Sequence, residues 1–159
     1  MPEKEDESAN SSDELWMAEA LQLAREAGEH GEVPVGAVVV MAGAVVGRGF
    51  NAPILLNDPT AHAEIRALRQ AADLLRNYRL TGSTLFTTME PCPMCAGALV
   101  HARISRLVYG ARDLRFGGVR SKFRIADSDL LNHQVEIVEG VLAVECVELL
   151  QAFFASKRG

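Results

Sequence analysis

The chain has 159 residues, 48% of them apolar, and a formal net charge of −5. That length suits one domain with an ordinary core, three cysteines are too few for a secreted disulfide framework, and no apolar run approaches the roughly 20 residues of a membrane helix. Residues 1–14 hold six acids and one lysine, and the remainder balances fifteen acids against fifteen bases, which argues against sequence-blind coating of nucleic acid.

In chain order, residues 1–12 are expected to be a disordered acidic tail, since they are polar and have nothing to bury. Its chemistry is wrong for a secretory signal, so the expected location is the cytoplasm. From Asp13 one folded domain, 13–159, is expected. Leu15, Trp16, Ala20, Leu23 and Ala27 have helical spacing, with Ser12 or Asp13 able to cap and Gly28 able to end the helix. "VPVGAVVVMAGAVVGRGFN" predicts two strands joined near Ala42–Gly43, the first buried on both faces. "DPTAHAEIRALRQAADLL" is a second helix that starts near Asp58, Pro59 and Thr60. "STLFTTME" is a third strand. "PMCAGALVHA" is a helix with Pro93 in its first turn, and "ISRLVYG" is a fourth strand. A polar, Arg-rich connection with room for a short helix leads to "HQVEIVEG", a fifth strand, and a closing helix in "LAVECVELLQAFFASK". Strand–helix alternation with one hairpin gives an α/β fold whose mixed sheet carries helices on its faces.

The chemistry centres on "EPCPMC". Cys92 and Cys95 share a face if a helix opens at Cys92 or Pro93, and a helix N-terminus favours thiolates. The pair alone fits a redox couple, an inert buried pair or half of a metal site. Cys146 reads as a packed core thiol. Of the four histidines only His62 has a suggestive neighbour, Glu64. Two residues apart on a regular helix are about 200° apart, so His62 and Glu64 serve one site only at a helix start. One His, two Cys and a non-ligand carboxylate, H-A-E with P-C-P-M-C, leave Zn2+ with an open fourth position for water. That combination is the signature of zinc-dependent nucleobase deaminases. It makes His62, Cys92 and Cys95 the metal ligands and Glu64 the catalytic proton carrier. Residues 100–124 hold seven bases and only Asp113 as an acid, a net +6, which is either a local basic patch or a solvated surface.

With these motifs, "EVPVGAVVV", "GFNAPI", "NYRL", "VYGARD" and "LNHQVEI" make the chain resemble the bacterial tRNA-specific adenosine deaminases of the cytidine-deaminase superfamily, from about Leu15 to Arg158. The resemblance implies a three-layer α/β/α sandwich with a five-stranded mixed sheet. It also implies one Zn2+ per subunit, a homodimer, and conversion of adenosine to inosine at the wobble position of an arginine tRNA, with the anticodon stem-loop as partner. By the same match Asn51 contacts the target nucleoside, and Val33 and Ala63 line the base pocket. A turn residue at a strand end is the plain alternative for Asn51. Asp113 is assigned to the substrate, through a ribose 2′-OH; a cap, or a salt bridge to Arg112 or Arg115, is the alternative. Phe153 and Phe154 beside Lys157 and Arg158 offer a stacking surface, with Phe153 assigned to the substrate and at least one of the rings expected to be buried. "DLRFGGVRSKFRIADSD" departs from the family pattern. A free-base or nucleoside deaminase and a non-catalytic module with structural zinc stand as rival readings.

Overall fold

The computed structural model describes residues 6–158. Helix α1 spans Asp6–Glu29, and β1 (Gly36–Met41) and β2 (Ala44–Phe50) follow. Next come the one-turn α2 (Pro53–Leu56), α3 (Ala63–Leu75), β3 (Thr84–Met89), α4 (Pro93–His101), β4 (Arg106–Ala111), β5 (Glu136–Glu139) and α5 (Ala143–Arg158). The five strands form one sheet in the order β2-β1-β3-β4-β5. β1 runs antiparallel to β2 and β3, while β3, β4 and β5 run parallel. The hairpin turns at Ala42 and Gly43, both at positive φ (51° and 75°), the conformation that matches the twist of a two-residue hairpin.

The sheet buries both faces, which is why β1 reads as a continuous Val-rich run. Ala37, Val39, Leu85, Leu107 and Tyr109 pack with α3 and α4. Val38, Val40, Phe86 and Val108 face the other way, against Met17, Ala20 and Leu21 of α1 and Cys146 of α5. This is the expected three-layer sandwich, and Cys146 is the packed thiol expected.

Three expectations shift. α1 begins at Asp6, ahead of Asp13. The tail expected over 1–12 therefore overlaps a helix from Asp6 on, and its residues 1–5 lie outside the described residues. Residues 6–12 contain neither Gly nor Pro, so nothing local stops the helix, and Asp13 instead pairs with Arg106. The Arg-rich connection, 112–135, contains turns and no helix. A short α2 follows β2, its Ile54 and Leu55 N–H groups donating to the buried Glu32 carboxylate at 3.2 and 2.9 Å.

α3 lies close on β2 because Gly49 lacks a side chain: a Cβ there would meet the Ala63 carbonyl oxygen at 2.4 Å. That approach fixes the first turn of α3, and with it His62 and Glu64.

Candidate functional site

His62 and Cys92 occupy equivalent positions, each the residue before the first turn of a helix. His62 (φ −71°, ψ 153°) precedes α3, and Cys92 (φ −71°, ψ 173°) precedes α4. Both have extended backbone, and neither side chain caps its helix. The imidazole and thiol are thus free for another partner. The extended backbone at His62 also removes the 200° problem and lets Glu64, in the first turn of α3, serve the same site.

The donor atoms converge. Cys92 Sγ lies 3.6 Å and Cys95 Sγ 3.5 Å from His62 Nδ1, and all three donors lie within 4.8 Å of one another. Zinc at about 2.3 Å from sulfur and 2.0–2.1 Å from nitrogen in tetrahedral geometry puts S and N roughly 3.5–3.6 Å apart. The observed spacings match that edge. Among the described residues the group contains three donors, His62, Cys92 and Cys95, which is the ligand number of an open catalytic zinc site.

The donor groups and Glu64 titrate as a coupled set. The Cys92 thiol is pulled down to about 4, chiefly by its hydrogen bond with Cys95 and further by His62, against its own burial. The Cys95 thiol is pushed up by the Cys92 hydrogen bond and by burial. The hydrogen bond to Cys92 raises His62. Glu64 is only 4% exposed, and that burial pushes its carboxyl above the ordinary range.

A cavity of about 600 Å³ opens over this group. Val33 and Asn51 line it with His62, Glu64 and Cys92. The Asn51 amide Nδ2 donates to the Val33 carbonyl at 3.3 Å, so the two expected substrate residues hold each other. Ala63 is fully buried and does not line the cavity; its carbonyl oxygen packs against Gly49. Asp113 does line it, but its Oδ1 accepts the N–H groups of Arg115 and Phe116, both at 3.1 Å. The alternative role as a cap is therefore realised, while Arg112 pairs with Glu139. Phe153 does not line the cavity; Phe154 and Arg158 do. Neither ring is fully buried.

The +6 stretch is partly neutralised in three dimensions. Arg106 pairs with Asp13, Arg112 with Glu139 and Arg120 with Asp127. Arg115 lines the cavity.

One residue escaped the sequence reading. Glu90, 2% exposed, accepts the N–H groups of Asp113, Val119, Arg120 and Ser121, and the Ser121 hydroxyl. It stitches the connection over the cysteine segment, aided by the Gly118 N–H donating to the Pro91 carbonyl at 2.7 Å. A glutamate just after an apolar strand and just before "PCPMC" was the available signal.

Comparison with known proteins places this geometry. Residues 10–111 match the family model for the cytidine and deoxycytidylate deaminase zinc-binding region. The tRNA-specific adenosine deaminase of Haemophilus influenzae is 51% identical over 147 residues, 92% of this chain and 85% of that protein. The Bacillus subtilis protein of the same name is 43% identical, covering 93% of this chain and 92% of its own length. A structure from work on A-to-I editing by tRNA:A34 deaminases at the wobble position superposes with a TM-score of 0.82. It is 44% identical and covers 85% of this chain and 98% of that one. A guanine deaminase from Nitrosomonas europaea superposes with a TM-score of 0.79 at 26% identity, over 89% of this chain and 84% of its own.

Proposed function

The chain belongs to the tRNA-specific adenosine deaminases of the zinc-binding cytidine and deoxycytidylate deaminase family, and we propose that it hydrolyses adenosine to inosine at the wobble position, 34, of an arginine tRNA. The observation that carries the chemistry is a buried carboxylate, Glu64, beside three donors set at zinc spacing. His62, Cys92 and Cys95 would hold the metal. Zinc bound there would make its water far more acidic than bulk water and so a ready nucleophile. The reaction adds water at C6 of adenine and releases ammonia. Glu64 takes a proton from the water, gives it to the purine ring nitrogen and later delivers one to the departing amine. Its burial keeps the carboxyl basic enough to accept that proton.

Asn51 and Val33 position the nucleoside. The Asn51 amide is fixed by the Val33 carbonyl, which leaves its Oδ1 to accept from the substrate. An anticodon loop suits such a site because its base needs no duplex opening. The chain acts as a homodimer in the cytoplasm. Two observations support the dimer: Ile54, Leu55, Leu56 and Tyr78 are exposed, and an apolar groove of about 350 Å³ between α3 and α4 includes Tyr78, Leu68 and Ala98. Among the described residues no helix is long and apolar enough to cross a membrane.

The test is incubation with an arginine tRNA bearing A at the wobble position, alongside free adenosine, cytidine and guanine. Inosine appears at the wobble position only. Deamination of guanine in place of the tRNA would transfer the chain to the free-base reading.

A further inference from the structure

The mouth of the cavity carries side chains that the deamination chemistry does not use. Phe116, in the 112–135 connection, is 65% exposed, belongs to neither core cluster and lines the cavity. Packing does not account for it. Its backbone is nonetheless fixed. Its N–H donates to Asp113 Oδ1 at 3.1 Å. The next residue, Gly117, sits against Glu90, where a Cβ would meet Oε2 at 2.3 Å. Phe154 reaches the same cavity from α5 and is 44% exposed. Phe153 supports it edge-on, with ring centroids 5.4 Å apart. Arg115 and Arg158 line the cavity beside these rings. Each of the two elements therefore brings one aromatic ring and one guanidinium to the mouth. Phe123 is a useful contrast, because it is 57% exposed on the same connection and does not line the cavity.

Flat apolar rings beside cations suit a single-stranded nucleotide: the ring face takes the base and the guanidinium faces the phosphate. We propose that Phe116 and Phe154 form a stacking slot for one nucleobase adjoining the target adenosine, with Arg115 and Arg158 set against its phosphates; this rests on the RNA substrate assigned above. Every base offers a π face, so the slot selects an unpaired, splayed loop and tolerates the identity of the neighbouring base.

Three synthetic anticodon stem-loops test it, with binding read by fluorescence anisotropy and inosine formation measured separately. One loop is complete, and the other two are abasic at the nucleotide 5′ or 3′ of the target adenosine. Phe116→Ala weakens binding of the complete loop about five-fold or more, raises KM more than it lowers kcat, and is rescued by Phe116→Trp. Phe154→Ala repeats the pattern. On one of the abasic loops the unmodified protein and Phe116→Ala bind alike. Phe123→Ala binds all three loops as the unmodified protein does. Equal losses on all three loops, no loss on any, or the same loss with Phe123→Ala overturns the slot. Absence of inosine with the binding pattern intact overturns the deaminase reading and leaves the slot standing, whereas failure to bind the complete loop overturns both.

Discussion

Replacing Glu90 with alanine removes one carboxylate that serves five donors, and the structure sets the size of the loss. Val119 is fully buried, so its N–H, now donating to Oε2 at 3.1 Å, finds no water in exchange. A buried donor left without a partner costs about 1–3 kcal/mol. The N–H groups of Asp113, Arg120 and Ser121 belong to partly exposed residues and can turn to water, so each forfeits about 0.5–1.5 kcal/mol. Together these N–H groups lose about 2.5–7.5 kcal/mol, a large share of the roughly 5–15 kcal/mol that holds a domain folded. The carboxyl itself reports the same balance. Burial pushes it up, but the Arg120 N–H, the Ser121 hydroxyl and N–H, and the Asp113 N–H outweigh that and hold it below the usual range. Urea unfolding of the zinc-loaded protein, followed by far-UV circular dichroism, reads the change as a lower midpoint at constant slope. Glu90→Gln should fall between the two, since its amide keeps one acceptor oxygen. A change of less than about 1 kcal/mol for Glu90→Ala would refute the reasoning, because the N–H groups would then have other partners.

Glu64→Gln should keep zinc, by elemental analysis, and lose turnover by about 10²–10⁴-fold, the usual worth of general acid–base help; near-normal rates would remove Glu64 from the mechanism. Cys92→Ser should lose zinc on dialysis while its far-UV spectrum stays α/β. Acid should loosen the connection. Asp127 is held below its ordinary range chiefly by Arg120, and Glu139 by Arg112 and then Tyr109. Their contribution is complete above the unfolded values of about 3.9 and 4.3 and is lost as pH falls through the lower folded values. Asp127→Asn should therefore flatten the acid limb of a stability–pH curve.

The three converging donors were legible in the sequence because each sits at a helix start, and helix starts leave local marks: Asp58-Pro59-Thr60 before His62, and Pro91 and Pro93 around Cys92. The five strands were legible from short runs of apolar and β-branched residues, and the two-sided burial of β1 from its lack of alternation. What stayed hidden depends on distant partners. The run of arginines over 100–124 looked like a patch because nothing local reveals that Arg106 meets Asp13 or that Arg112 meets Glu139. Phe153 and Phe154 could not be told apart, since one residue is 100° of helix and only the docking of α5 decides which ring borders the cavity. Ala63 matched a pocket residue by position, yet it is fully buried. Glu90 gave no periodic signal, and its role emerges only when the 113–121 backbone folds back over it.

X-ray absorption at the zinc edge of the protein as isolated tests the central claim most directly. The account predicts two sulfur scatterers at about 2.3 Å, one imidazole nitrogen at about 2.0–2.1 Å and one further light atom from water. A site with four protein ligands, or one in which the imidazole signal survives His62→Ala, would contradict it.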